Sequence, residues 1–182
     1  YSERAYEYLG AHPVWQDEKL LQENAFLTAE AAIEAAQKRM RSSDIYENFA
    51  VIGYGKAGSA IARRLVALGA EVTVAARRES ARAQAVSDMC KAAELYTLAE
   101  KAKEFDIVIN TVPTRVLEED FIKNLNKACL VIEVASAPYG VDFEAAEKHG
   151  IRVLRVPGLP GRISPQSAGE AIAKTILGAV KI

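Results

Sequence analysis

The stretch Asn48-Phe49-Ala50-Val51-Ile52-Gly53-Tyr54-Gly55-Lys56-Ala57-Gly58 decides how this chain is read. An apolar run of strand character leads into G-x-G-x-x-G, and a helical pattern follows. In that order each glycine has a mechanical task. Gly53 makes the tight turn out of the strand, Gly55 lets backbone approach a pyrophosphate, and Gly58 lets the helix lie close to the strand. The helix N-terminus, beginning at Lys56 and Ala57, then aims free N–H groups and the positive end of its dipole at phosphate oxygens. The stretch predicts a dinucleotide cradle; the alternative is a plain strand-to-helix turn.

Outward from this turn the pattern alternates strand and helix, which predicts a parallel sheet with helices on both faces. Strands are expected at Phe49–Ile52, Glu71–Ala76, Glu94–Tyr96, Asp106–Asn110, Cys129–Val134 and Arg152–Val156. Helices are expected from Lys56 to Leu68 with Gly69 as the stop, from Ser80 to Ala92, and from a Thr97 cap to Lys103. Two more run from an Asp142 cap to His149-Gly150, and from Ser164-Pro165 to Val180. His149 is a last-turn residue near the negative end of the dipole, an ordinary place for it. The fold class is α/β: a Rossmann-type, doubly wound parallel sheet of six strands in order 3-2-1-4-5-6, with an N-terminal helical segment. The dinucleotide-binding domain spans 48–182.

Residues 1–47 form a helical or linker segment, not a domain of their own. A short helix is expected over Ser2–Leu9, and His12-Pro13 reads as a solvated link. Thr28 is an N-cap for a helix through Met40. Its Ala29, Ala31, Ala32, Ala35 and Ala36 suit close packing against a helix or a sheet edge. Such a helix either joins a substrate domain to the dinucleotide domain or covers the sheet.

Of the 182 residues half are hydrophobic, and 23 basic against 24 acidic residues give a formal net charge of −1. That balance points away from nucleic acid and membrane surfaces as partners. No apolar run approaches the roughly 18 residues of a membrane span. The polar, charged N-terminus argues against a signal peptide. Cys90 and Cys129 have neither metal nor redox spacing and read as buried thiols in a reducing cytoplasm. No metal site is expected. A chain that begins with Tyr is expected to be a processed or truncated piece of something longer. An apolar patch left by a missing domain would then promote self-association into a homo-oligomer, which light scattering would test.

The end of the second strand selects the nucleotide. An NAD site usually carries Asp or Glu there, about 20 residues past the glycines, for the ribose hydroxyls. This chain has Ala75-Ala76 and then Arg77-Arg78. Losing the carboxylate removes a repulsion, and a guanidinium clamps a 2′-phosphate with two hydrogen bonds. NADP is therefore expected over NAD, with Arg77 first and Arg78 or Ser80 assisting; the alternative is a solvated loop.

Ligands of an open parallel sheet bind at the carboxyl ends of its strands. Asn110-Thr111-Val112-Pro113 would lie along the cofactor, with Thr111 offering a hydroxyl and Pro113 restricting the turn. The loop after the fifth strand, with Ala135, Ser136 and Tyr139-Gly140, would lie near the nicotinamide. The loop from Pro157 to Pro165 is stiffened by two Pro-Gly pairs, and its Arg162 takes an anionic substrate or is a surface charge. No general acid or base stands out. Ser136 and Arg162 are the candidate substrate residues, and Glu133 either faces the crevice or pairs with a lysine. Hydride transfer asks mainly for orientation and electrostatics from the protein.

Several of these segments together resemble one family, the A subunit of dipicolinate synthase. They are Thr28-Ala29-Glu30, Val51 to Gly58, Ala76-Arg77-Arg78, Asp106 to Pro113, Ala135-Ser136 and Gly140-Val141-Asp142-Phe143. The most specific is Pro157-Gly158-Leu159-Pro160-Gly161, with Pro165 and Ala168-Gly169 after it. The resemblance runs from about residue 20 to the end. It implies an NADP-dependent enzyme of sporulation that oxidises a dihydrodipicolinate-type dicarboxylate to pyridine-2,6-dicarboxylate in the mother-cell cytoplasm. It also implies a partner, a flavoprotein-like B subunit, together with an N-terminal domain that this chain is too short to include. Two positions depart from the family's pattern: Lys56 stands where Arg is frequent, and Tyr139-Gly140 where Gly-Gly is usual.

Two other readings compete. The chain is the cofactor domain of another two-domain enzyme, related to shikimate or alanine dehydrogenase, which reductive turnover would favour. Or it is a non-catalytic nucleotide-sensing module, which binding without turnover would favour.

Overall fold

In a computed structural model of the chain, residues 14–38, 48–156, 161 and 165–179 are described. Six parallel strands form the sheet, in order β3-β2-β1-β4-β5-β6. They are β1 (Asn48–Ile52), β2 (Glu71–Ala75), β3 (Lys91–Ala93), β4 (Ile107–Asn110), β5 (Leu130–Glu133) and β6 (Arg152–Arg155). The central register sets Ile52 beside both Ala75 and Asn110, and Asn110 beside Glu133. The strand ends that matter for a ligand are therefore level. The reversal of strand order falls between β1 and β4, where a crevice opens in such sheets.

Helices α1 (Glu18–Gln37), α2 (Lys56–Ala67) and α3 (Glu79–Ser87) pack on one face of the sheet. The 3-10 segment Leu95–Glu104 and the short helices α4 (Glu119–Ile122) and α5 (Phe143–Lys148) pack on the other. The central strands are apolar on both sides, as a sheet covered on both faces requires. Val51, Val74 and Ile109 face the first layer, and Ala50, Ile52 and Val108 the second. Helix α6 (Pro165–Ala179) closes the described chain. No helix among the described residues is long and apolar enough to cross a membrane.

The structure corrects the boundaries at several places. Helix α1 starts at Glu18, capped by Asp17, whose carboxylate accepts from Leu20 N at 2.8 Å. The expected cap, Thr28, lies mid-helix. The buried face runs unbroken from Leu20 through Ala25, Ala29, Ala32 and Ile33 to Ala36, so packing carries the helix past Thr28 toward the earlier cap. The alanines do pack closely against α2, and Glu18 and Glu30 reach Lys56 at 2.9 Å and Arg64 at 3.5 Å across that contact.

Helix α3 stops at Ser87, before the expected Ala92, and β3 lies at Lys91–Ala93 instead of Glu94–Tyr96. The cause is Met89, which turns left-handed at φ 64°. Cys90 N then reaches Ala85 O at 2.9 Å and Met89 N reaches Val86 O at 3.0 Å. That closing pattern usually uses glycine, and α2 and α5 use Gly69 and Gly150 for it as expected. Thr97 lies inside the 3-10 segment, its hydroxyl bonded back to Glu94 O at 3.1 Å, and caps no α-helix. Asp142 caps α5, accepting from Ala145 N at 3.1 Å. The expected helix over residues 2–9, with Met40 and Ser164, lies outside the described residues. Cys90 and Cys129 are both free and buried; burial pushes the Cys129 thiol up to about 12.

Candidate dinucleotide site

The glycine turn is built as its residue types require. Gly53 has φ 91°, and its N–H bonds to Ala75 O at 2.9 Å, tying the turn to the end of β2. A Cβ on Gly58 would lie 2.2 Å from Gly53 O, so helix α2 lies on the strand as closely as backbone allows. Gly55 is different: a Cβ there would meet nothing within 4 Å. It borders open space, where a ligand needs to come close to the backbone. Gly55 is also the N-cap of α2, and no side chain caps that end. The first amides of a helix have no partner within it, so those of α2 face the opening.

That opening is a cavity of about 520 Å³ at the carboxyl ends of β1, β2 and β4. Of the expected cofactor residues, Gly53, Gly55, Lys56, Ala57 and Gly58 line it from the turn, and Ala76, Arg77 and Arg78 from the end of β2. Thr111, Val112 and Pro113 line it from the β4 loop. None of the described residues lining it is acidic. Ser80 lies in a smaller adjoining recess with Arg63 and Arg78. The donor set, the open Gly55 and the uncapped helix start fit a dinucleotide with its phosphates at α2.

Local contacts fix this wall. The Thr111 hydroxyl donates to Ile52 O at 2.8 Å, so its proton braces β4 against β1 and does not point to a ligand. Arg82, for which the sequence reading has no role, holds the β2 loop: Nη1 donates to Ala76 O at 2.9 Å and Arg77 O at 2.7 Å. Its Nη2 reaches Glu94 at 3.1 Å. Its spacing, one helical turn after Arg78, is the signal that could have found it. Lys56 stands at the mouth, paired with Glu18.

The β5 loop is organised from below. Asn110 and Glu133 are the buried polar side chains among the described residues. Glu133 Oε1 accepts from Asn110 Nδ2 at 2.8 Å and Ala135 N at 3.0 Å. Its Oε2 accepts from Gly140 N at 2.9 Å and Val141 N at 3.0 Å. The expectation that Glu133 faces the crevice or pairs with a lysine is wrong: it is buried, and its partners are three amides and an asparagine. Ala135 is buried with its amide used in this way, and Ser136 is exposed. Neither lines the main cavity. Arg162 lies outside the described residues. Tyr139 adopts φ 67°.

In sequence, residues 48–137 match the family described as NADP oxidoreductase, coenzyme F420-dependent. Over 153 residues, 84% of this chain, it is 35% identical to the A subunit of dipicolinate synthase from Bacillus subtilis strain 168. The crystal structure of the corresponding A subunit from Bacillus halodurans superposes with a TM-score of 0.90 at 30% identity, covering 98% of this chain. That of the Bacillus subtilis A chain superposes with a TM-score of 0.88 at 32% identity, covering 97%.

The chain is homologous to the A subunit of dipicolinate synthase.

It spans 52% of the length of the curated relative, and 62% and 61% of the two solved chains. It carries an NAD(P) oxidoreductase-like domain. The likeness to the dipicolinate synthase A subunit extends beyond the glycine turn, through α1 and the whole sheet. Tyr139 keeps a left-handed backbone, the region that favours glycine. Its ring is held edge-on to Phe143 at 5.6 Å, and the Arg155 guanidinium covers both rings, at 4.5 and 4.8 Å from their centroids.

Proposed function

We propose that this chain is the NADP-binding part of an enzyme that oxidises dihydrodipicolinate to pyridine-2,6-dicarboxylate. The observation that carries the reading is the rim of the main cavity. Arg77 and Arg78 stand at the end of β2, where an NAD site would place a carboxylate, and none of the described lining residues is acidic. Homology to the dipicolinate synthase A subunit supports the reaction class.

In this reading the amides at the start of α2 hold the pyrophosphate, and Arg77 takes the 2′-phosphate with Arg78 and Ser80 beside it. Thr111, Val112 and Pro113 run along the cofactor, and Ala135 and Ser136 border the nicotinamide end. NADP, when bound, supplies the hydride acceptor. The substrate ring gives up a hydride and a proton and becomes aromatic, which makes the loss favourable. Two carboxylates on the substrate call for cations and amides; Ser136, Arg162 and the ring-stacked Arg155 are the residues of this chain assigned to them. The segment 1–47 joins the domain 48–182 to a substrate domain. A second, flavoprotein-like subunit, self-association, and a mother-cell cytoplasm during sporulation belong to the same reading.

Calorimetric titration of the full-length protein with NADPH and NADH side by side tests it. Tighter NADPH binding by about tenfold or more is expected from a charge-assisted clamp. Equal affinities would remove the NADP assignment, and binding of neither would remove the dinucleotide site. Turnover of dihydrodipicolinate with NADP, followed by NADPH formation, tests the reaction.

A further inference from the structure

Glu133 is an expensive residue to keep. A carboxylate taken out of water loses hydration that only strong partners replace. Its four partners are all donors, and four donors fill the acceptor sites of an ionised carboxylate. They are not scattered. Ala135 begins the loop after β5, and Gly140 and Val141 end it, so one carboxylate ties both ends of the loop together. Asn110 extends the tie across the sheet: its Nδ2 also donates to Val112 O at 3.0 Å, and its Oδ1 accepts from Val112 N at 3.2 Å. The packing leaves no slack, since a Cβ on Gly140 would lie 2.4 Å from Asn110 Nδ2 and 2.5 Å from Val112 O. The loops after β4 and β5 are thus joined through two buried side chains.

We propose that Glu133 is a positioning residue that holds the β5 loop in the shape that receives the nicotinamide ring. The inference rests on the dinucleotide reading above. In a doubly wound sheet the glycine turn on β1 takes the phosphates, and the second half, with β4 and β5, takes the other end of the ligand. None of Glu133's hydrogen-bond partners belongs to the glycine turn or the β2 rim. Its influence should therefore divide the cofactor in two: the adenosine and phosphate half is indifferent to it, and the nicotinamide half depends on it.

Glu133→Gln makes the division measurable. The amide carries one oxygen and one NH2 group. Whichever way it turns, the NH2 meets two donors, either Asn110 and Ala135 or Gly140 and Val141. The loop loses its shape without a change in side-chain size. The test is calorimetric titration of full-length wild type and variant with NADPH and with ADP-ribose 2′-phosphate, which lacks the nicotinamide. NADPH should bind about tenfold more weakly to the variant, the scale of a mispaired hydrogen bond to a charged group, while the fragment binds as to wild type. Equal losses for both ligands would show a general structural role and overturn the proposal, as would no loss for either. A wild type that binds neither ligand would sink the dinucleotide reading and this inference with it. Should Glu133→Gln fail to fold, Glu133→Asp keeps the charge but draws the carboxylate back from the Gly140 and Val141 amides by one methylene, and is judged by the same two ligands.

Discussion

The Tyr54 hydroxyl donates to Asp88 Oδ2 at 2.6 Å, tying the middle residue of the glycine turn to the far end of α3. Arg63 Nε donates to the same oxygen at 2.9 Å. The Tyr54 hydrogen bond, with Arg63 assisting, holds the Asp88 carboxyl below its usual range. Burial, with Asp88 beside it, pushes the Tyr54 phenol up. The turn is therefore braced by a contact outside the main cavity.

Tyr54→Phe removes this brace and should cost about 1 kcal/mol at pH 7, the net value of a hydrogen bond to a partly exposed charge. The sign with pH follows from the depressed carboxyl. Its contribution is fully present above the unfolded value of about 3.9 and is lost as pH falls through the lower folded value. Urea denaturation at pH 7 and pH 3 checks this. The gap between wild type and variant should narrow in acid; a constant gap would mean that the ionised Asp88 is not its source.

Gly55 and Gly58 separate ligand binding from folding. Gly58→Ala drives a Cβ into the Gly53 carbonyl, 2.2 Å away, and should destabilise by about 2 kcal/mol through overpacking. Gly55→Ala meets only open space and should lower the melting temperature by at most a few degrees, the small cost of alanine over glycine at an N-cap. In the proposed reading it should nevertheless weaken dinucleotide binding about tenfold or more, because the methyl would occupy the path assigned to the pyrophosphate. Thermal melts and NADPH titrations of both variants decide between the two roles. Unchanged affinity in Gly55→Ala would make the turn structural only.

Arg77→Ala should weaken NADPH binding by about tenfold or more and NADH binding far less, since the guanidinium's partner in this reading is the 2′-phosphate. Arg82→Ala is the companion variant. It leaves Arg77 in place but frees the carbonyls of Ala76 and Arg77, so it should lose part of the same preference by loosening the loop. Equal losses of NADPH and NADH in Arg77→Ala would sink the assignment.

Much of this is legible locally. The glycine turn, the Asp142 cap and the stops at Gly69 and Gly150 are set by residues a few positions apart, and the strand order follows from the alternation they punctuate. What the sequence hides is decided at a distance. Thr28 is a good cap, but Asp17 wins because the buried alanine face begins earlier. Met89 carries no sign of a left-handed turn, so the pattern predicts α3 too long and displaces β3. Glu133 is defined by amides up to eight residues away and by Asn110 across the sheet. No window on the strand shows those partners. Arg82 is a different case: its carbonyl partners lie only five and six residues back, but no motif marks it, whereas Arg77 is read against one.

Tyr139 supplies the last test. A left-handed backbone costs an L-residue about 1–2 kcal/mol that glycine escapes. Here the conformation is held at φ 67°, while the ring gains Phe143 and Arg155. Tyr139→Ala loses the rings and keeps the strain; Tyr139→Gly loses the rings and relieves it. The glycine variant should therefore be the more stable of the two by about 1 kcal/mol, the reverse of the order on an ordinary backbone, where glycine is penalised for unfolded-state freedom. Urea denaturation of both variants decides it. Alanine equal to or better than glycine would mean that the loop relaxes once the ring is gone, and that Glu133 and the loop amides do not fix its backbone.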